Sequence, residues 1–181
     1  MAVFLDVHGL LELEQSEKWY EATHMLYSLW NKDRNNVDKL CRLISECWYV
    51  LSEWDCIQSN GLSFDTFKKV LAEATQYGLK HFDSNPDFLW LTGYMISLFP
   101  YLFYEDDSRD SYIDWEQRGK EMLLRSTQLA PDNLIARVFW LGSQCESAEY
   151  LAEKSRLALQ LNNDLFGKTA IETYFNEILS C

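Results

Sequence analysis

The densest group of ionisable side chains in the chain lies between residues 105 and 116, in the stretch EDDSRDSYIDWE. Six carboxylates stand there against one arginine, a local charge of −5 within a total of −12. Such a surface attracts a basic protein, and the aromatic residues between the carboxylates are of the types that interfaces bury as anchors. The candidate partner-binding residues are therefore Glu105, Asp106, Asp107, Asp110, Tyr112, Asp114, Trp115 and Glu116.

The same segment has a simpler interpretation as a solvated loop. Its carboxylates precede or begin a predicted helix, where they favour the positive end of the helix dipole. Calcium binding is a weaker alternative, because DDSRD lacks the glycine turn and the spaced glutamate of an EF-hand loop. The sequence leaves partner binding and the solvated loop equally open.

Histidine and cysteine form no catalytic or metal-binding pattern. His8, His24 and His81 lie in different predicted elements, and no two are four residues apart on a helix. The five cysteines are an odd set without a Cys-x-x-Cys pair, which favours reduced thiols, and Cys41 and Cys47 are expected to be buried. We therefore expect no catalytic residues, no cofactor-binding residues and no metal site, and predict that the protein is not an enzyme.

The net charge and the apolar segments limit which classes of partner and which cellular location are expected. A net charge of −12 argues against direct binding of nucleic acid, whose phosphates recruit Lys and Arg. The N-terminus has no basic region and reaches Asp6 early, unlike a secretion signal. The uncharged run 88–104 is short for a membrane span and contains Gly93 and Pro100. We predict a cytoplasmic protein with a protein partner, no direct nucleic acid and no membrane.

The elements that position these residues are predicted to be helices. Apolar residues recur at steps of three and four, and no stretch sustains an alternation of period two. This predicts a single all-α domain over residues 1–181, with 1–15 as an irregular N-terminal segment and 105–114 as an acidic loop. About eight helices are expected, over residues 16–31, 37–57, 64–82, 86–99, 112–129, 134–145, 148–161 and 170–179.

Particular residues mark the ends of these helices. Ser16 and Ser63 are predicted N-caps, and Pro86 suits the first turn of a helix, where its missing N–H is not needed. Pro100 removes a backbone hydrogen bond from a helix interior, so a kink or break is expected near Phe99. The most apolar predicted helix therefore ends immediately before the acidic segment.

Three junctions between helical stripes are alike: SNPD at 84–87, APDN at 130–133 and NND at 162–164. Shortly after two of them come Gly93 and Gly142, where a small residue lets a neighbouring helix approach closely. Over about residues 60–165 this punctuation resembles the tetratricopeptide pattern, which implies antiparallel helical hairpins stacked in a tetratricopeptide-like array. The 45 residues from Pro86 to Pro131 exceed the 34 of that pattern, and the excess is attributed to the acidic loop.

The tail FGKTAIETYFNEIL at 166–179, with the length, acidity and helical hairpins, resembles the helical immunity proteins of bacterial contact-dependent growth inhibition and other polymorphic toxin systems. The resemblance implies a non-catalytic inhibitor that masks the basic active-site surface of a cognate toxin domain, expected to be a nuclease. The alternative is a tetratricopeptide-like chaperone or scaffold that binds an extended peptide of a secreted or partner protein. Its concave face would carry residues such as Tyr77, Tyr94 or Trp140.

Overall fold

A computed structural model describes residues 5–57, 61–104, 109–144, 148–160 and 169–180. These residues form nine α-helices, one short 3₁₀ turn at Pro100–Leu102 and no strand, which confirms the predicted all-α class. The helices are α1 Leu10–Gln15, α2 Trp19–Lys32, α3 Val37–Ser52, α4 Phe64–His81, α5 Pro86–Leu98, α6 Arg109–Leu129, α7 Leu134–Gly142, α8 Ala148–Gln160 and α9 Ala170–Ser180.

The starts of α3, α5 and α7 share one local structure. At each, the side chain of an asparagine N-cap accepts the backbone N–H three residues ahead, which satisfies a donor that the helix cannot pair; the caps are Asn36, Asn85 and Asn133. From the first cap to the second is 49 positions, and from the second to the third is 48. They mark the starts of three units of two helices each, α3–α4, α5–α6 and α7–α8, and the first two units are nearly equal in length.

The three units pack side by side. The two helices of each unit contact each other, and the first helices are also in contact from unit to unit, α3 with α5 and α5 with α7. Buried apolar side chains, including Trp30, Trp48 and Trp90, form a connected core between them. None of the helices in the described ranges is long and apolar enough to cross a membrane.

The spacing of the units corrects the expectation that the acidic loop accounts for the length of the repeat. The first unit is as long as the second although it does not contain the acidic segment, so a repeat of this length does not require an acidic insertion. Long helices contribute to both units, since α4 has 18 residues and α6 has 21, and so do the residues that join the two helices of each unit. The junction predicted at 162–164 lies outside the described residues, and the matching junction is the turn that ends at Asn36.

Two glycines bring α5 and α6 into backbone contact. A β-carbon on Gly93 would lie 2.8 Å from the carbonyl oxygen of Gly119, and one on Gly119 would lie 2.6 Å from the backbone nitrogen of Ser97. The close approach predicted at Gly93 is therefore confirmed. A β-carbon on Gly142 would instead lie 3.1 Å from the ring of Tyr150.

Pro100 ends the fifth helix as predicted. α5 stops at Leu98, and the chain makes a 3₁₀ turn whose Leu102 is buried. The next helix begins at Arg109 rather than Tyr112, so residues 109–114 of the predicted acidic loop belong to α6.

The N-terminal segment is the other difference from the sequence prediction. Part of 1–15 is helical, because α1 buries Leu10 and Glu14 against the rest of the chain. Ser16 follows α1 instead of capping α2, which begins at Trp19 after Glu17 turns the chain with a φ of 54°. The predicted cap at Ser63 and the position of Pro86 in the first turn of α5 are confirmed.

Candidate protein-binding surface

Four of the eight predicted partner-binding residues have described side chains, and all four lie in the first turns of α6. Tyr112 is 38% exposed, Asp114 is exposed, and Trp115 and Glu116 are half-buried. The backbone of Asp110 belongs to α6. The side chain of Asp110 and the residues Glu105, Asp106 and Asp107 lie outside the described part of the chain, so their role stays a prediction.

Trp115 packs against other side chains at the start of α6. Its ring stacks on Phe103, with the ring centroids 6.2 Å apart and the planes at 22°. The guanidinium of Arg118 lies 5.0 Å from the centroid of the Trp115 ring, a cation–π geometry. Trp115 therefore packs the start of α6 against the segment after the 3₁₀ turn and is half-buried there.

Two further apolar side chains are exposed in the same segment. Tyr101, in the 3₁₀ turn, is 45% exposed, and Ile113 is 50% exposed. The 3₁₀ turn packs against α6, so Tyr101 and the first turns of α6 lie at the same end of the second unit. We call Tyr101, Tyr112, Ile113, Asp114 and Glu116 the junction surface. It combines apolar anchors with carboxylates, the composition expected for contact with a basic protein.

The carboxylates of the junction surface differ in how far they are neutralised. Glu116 accepts a hydrogen bond from Lys120 at 2.5 Å, an ion pair between residues four apart on α6. Asp114 presents its carboxylate to solvent. A partner therefore meets one exposed carboxylate and one already shared with a lysine in the described part of this surface.

A groove of about 470 Å³ lies beside the junction surface, between α4 and the segment before α6. Leu102, Phe103 and Trp115 are among the residues that line it, and α4 contributes Lys68 and Lys69. A groove of this size accepts a large side chain of a partner. Its α4 wall carries Asp65 as well as the two lysines, so this wall is mixed in charge.

The residues named for an alternative concave face do not share one open surface. Tyr94 is buried under α9, where its hydroxyl lies 2.8 Å from that of Tyr174. Tyr77 stacks on His81 and packs edge-on against Trp30 of α2. Trp140 lines a separate pocket of about 350 Å³ beside α6.

Two of the described cysteines are buried, whereas Cys56 is exposed. Within the described ranges, no group of three or more His, Cys, Asp or Glu side chains is placed to hold a metal ion. Cys41 and Cys47 are buried, and burial raises the pKa of both thiols well above its ordinary value. They are therefore neutral and unreactive. His24 stacks on Tyr20, in the same helix.

Comparison with protein-family models, with curated proteins and with solved structures gives no match to this chain. Function is therefore inferred from the residues and their geometry.

One cluster that the sequence did not indicate joins three helices. Arg42 of α3 donates hydrogen bonds to Glu46, at 2.9 Å, and to Glu14 of α1, and all three side chains are almost completely buried. The second carboxylate oxygen of Glu14 accepts the backbone N–H of Ala170 at the start of α9, at 2.8 Å. We call Glu14, Arg42 and Glu46 the charge cluster. Arg42 and Glu46 are four positions apart on α3, but Glu14 is 28 positions from Arg42, so no local pattern reveals the whole cluster.

The charge cluster holds two carboxylates for one guanidinium. Burial raises the pKa of Glu46 to about 7, even though Arg42 opposes that shift and the neighbouring Glu14 adds to it. One oxygen of Glu46 is buried without a hydrogen-bond partner. The cluster is therefore a source of pH-dependent stability as well as the anchor of α9.

Proposed function

We propose that this protein is a non-catalytic inhibitor that binds and neutralises a cognate toxin domain, of nuclease type, by masking its basic active-site surface. The observation that carries the proposal is the junction surface, where Tyr101, Tyr112 and Ile113 are exposed beside carboxylates in a chain with a net charge of −12. Large apolar side chains that are exposed together next to charge are typical of protein–protein contact sites.

Electrostatics favours a basic partner. A protein of this charge repels acidic surfaces and is drawn to basic ones, which raises the rate of encounter at low salt. A nuclease holds the phosphates of its substrate with Lys and Arg. Carboxylates that occupy the same positions both block the substrate and pair with those cations.

The tail supports a toxin domain as the partner. Residues 166–179 resemble helical immunity proteins, which act in the cytoplasm of the cell that makes the toxin. The surface on this chain is also held ready for binding, because backbone contact at Gly93 and Gly119 fixes α6 on α5. A preorganised surface loses little conformational entropy on association.

Growth rescue tests this proposal. The toxin domain encoded by the neighbouring gene is expressed in a laboratory bacterium, with and without the full chain. We expect the wild-type chain to restore viable counts and the triple variant Asp106→Lys, Asp107→Lys, Asp110→Lys to lose at least about 100-fold of that rescue, as expected when several interface charge pairs become repulsive.

The matched control reverses three exposed carboxylates elsewhere: Glu12→Lys, Glu21→Lys and Asp132→Lys change the net charge by the same amount. This control is expected to rescue growth as the wild type does. Equal rescue by both triple variants contradicts the role of the acidic segment. Failure of the wild-type chain to rescue, or a neighbouring gene without a toxic product, contradicts the inhibitor itself.

The tetratricopeptide-like chaperone or scaffold is the alternative candidate. It requires an open concave face, whereas Tyr94 of the predicted face is covered by α9. The junction surface therefore favours the inhibitor. A neighbouring gene for a secretion apparatus, in place of a secreted toxin, supports the chaperone.

A further inference from the structure

The groove beside the junction surface arises from the way the first two units stack. Their first helices, α3 and α5, pack on each other, whereas the second helices, α4 and α6, make little contact with one another in the described part of the chain. The space of about 470 Å³ between them is open to solvent, and we call it the α4 groove. It is therefore a surface feature of the stack and not a defect of the core.

One side of the α4 groove is apolar and firmly packed. Leu102 is fully buried and Phe103 is 6% exposed, so both present only a small part of their surface to the groove. The ring of Trp115 stacks on Phe103 and also lies against the guanidinium of Arg118. An aromatic surface that is held in this way loses little entropy when a flat apolar group covers it.

The α4 side of the groove is a single helical stripe. Its residues follow one another at steps of three and four, with two lysines side by side; they are Asp65, Lys68, Lys69, Ala72 and Gln76. Ala72 is the smallest of them and lies at the middle of the stripe. It leaves room for a large side chain between the lysines and Gln76.

The two lysines have no carboxylate partner among the described residues. Asp65 stands three and four positions before them, the spacing of an ion pair on a helix, yet no ion pair joins it to either lysine. Asp65 lies in the first turn of α4, where the helix dipole already favours its charge. The groove therefore offers positive charge that is not paired, on a chain whose net charge is −12.

The two sides of the groove together define the chemistry of a ligand. An aromatic side chain matches the rings of Phe103 and Trp115, and a carboxylate next to it is within the reach of long lysine side chains. A lysine or arginine would be repelled at this place. The junction surface alongside has the opposite preference, so a partner that covers both has its orientation fixed by charge.

We propose that the α4 groove binds an aromatic side chain of the protein partner together with an adjacent carboxylate of that partner, which pairs with Lys68 and Lys69. The inference rests on the proposed function for the identity of the partner, the toxin domain, and adds a feature that a cognate toxin domain must carry. The junction surface attracts basic proteins in general, whereas the α4 groove selects among them.

Two acetylated and amidated dipeptides are the probes: Trp-Glu carries the carboxylate, and Trp-Gln is its neutral match. Each is titrated into the isotope-labelled full chain and followed by NMR. The wild type is expected to bind Trp-Glu about fivefold more tightly than Trp-Gln, the scale of one exposed ion pair, with shift changes centred on α4 and on the indole of Trp115. The variant Lys68→Gln, Lys69→Gln should bind both equally. The control Lys32→Gln, Lys80→Gln removes the same charge at two exposed lysines and should keep the preference.

The catalytically inactivated toxin domain separates this inference from the proposed function. Lys68→Gln, Lys69→Gln is expected to bind it about tenfold more weakly than the wild type, as for the loss of interface charge pairs. Lys32→Gln, Lys80→Gln should bind as the wild type does, and so should Leu159→Ala, at a side chain of α8 that is 72% exposed.

The two experiments fail in different ways. A wild-type chain that does not distinguish the two dipeptides, or a toxin domain that binds the wild type and Lys68→Gln, Lys69→Gln equally, overturns the role of the α4 groove and leaves the inhibitor in place. A toxin domain that does not bind the wild type contradicts the inhibitor. In that case a preference for Trp-Glu that Lys68→Gln, Lys69→Gln abolishes still supports the groove as a site for this chemistry.

Discussion

Replacing Gly119 with alanine is expected to lower the free energy of unfolding by about 3 kcal/mol, near the upper end of the usual cost of overpacking. The new methyl group would lie 2.6 Å from the backbone nitrogen of Ser97 and 2.7 Å from the carbonyl oxygen of Gly93. Both atoms belong to the backbone of α5, so no side chain can rotate away. The two helices must separate along the most extensive helix–helix contact of the fold.

Gly142→Ala is the matched control for Gly119→Ala. Its methyl group meets only the edge of the Tyr150 ring, at 3.1 Å, which can shift by a few tenths of an ångström. Alanine also favours the helical state over glycine by about 1 kcal/mol, so the net change is expected to be small. Urea unfolding followed by circular dichroism measures both variants. Equal losses of stability would show that α5 and α6 do not rely on backbone contact.

Removing the guanidinium of the charge cluster is expected to lower the free energy of unfolding at least as much as Gly119→Ala does. Arg42→Met leaves the buried carboxylates of Glu14 and Glu46 without their cation, and breaking a buried ion pair in this way costs about 3 to 5 kcal/mol. Glu46→Gln should instead raise the free energy of unfolding at pH 8. It removes the carboxylate that is in excess over the one guanidinium and keeps the ion pair of Arg42 with Glu14.

The pH dependence of the free energy of unfolding tests this account of the charge cluster. Burial raises the pKa of Glu46 from its ordinary value of 4.5 to about 7. Between these values the folded chain retains a proton that the unfolded chain has released, so the contribution of Glu46 to stability falls as the pH rises from 4.5 to 7. Each pKa unit corresponds to about 1.4 kcal/mol, so this loss is about 3 to 4 kcal/mol.

Urea unfolding at pH 5 and pH 8 checks this expectation. Glu46→Gln should be more stable than the wild type at pH 8 and no more stable at pH 5, whereas the exposed control Glu21→Gln should follow the wild type at both. A wild-type chain and a Glu46→Gln variant with the same pH dependence would contradict a carboxyl group that titrates near 7 in the folded state.

Local features of the fold were predictable from the sequence. Ser63, Pro86 and Pro100 act within one turn of the backbone they occupy, so their effects appear in a short window of residues. The structure places each where its chemistry requires, with Ser63 as a cap, Pro86 in a first turn and Pro100 beyond a helix end. The periodic apolar stripes identified eight of the nine helices in the described ranges for the same reason.

Features that depend on distant residues were not predictable. α1 is six residues long and is stabilised by burial of Leu10 and by the ion pair of Glu14 with Arg42, 28 positions away. The tail was predicted to be helical, but its position across α3, α5 and α7 is a tertiary property.

The candidate site was only partly predictable for the same reason. The segment was chosen for its charge, and Tyr112 and Asp114 are exposed there as expected. Trp115 was proposed as an anchor but packs on Phe103, because the 3₁₀ turn that brings the two rings together is not visible in a helical pattern. The exposure of Ile113 depends on how α6 is rotated on α5, and the contact at Gly119 fixes that rotation.

Calorimetric titration of the full chain with the catalytically inactivated toxin domain encoded by its neighbouring gene tests the central claim most directly. We predict a one-to-one complex whose affinity falls steeply as salt is raised. The double variant Tyr112→Ala, Ile113→Ala should bind at least tenfold more weakly at unchanged thermal stability, and Leu159→Ala should bind as the wild type does. No measurable binding, or an affinity that responds neither to salt nor to the loss of Tyr112 and Ile113, would contradict it.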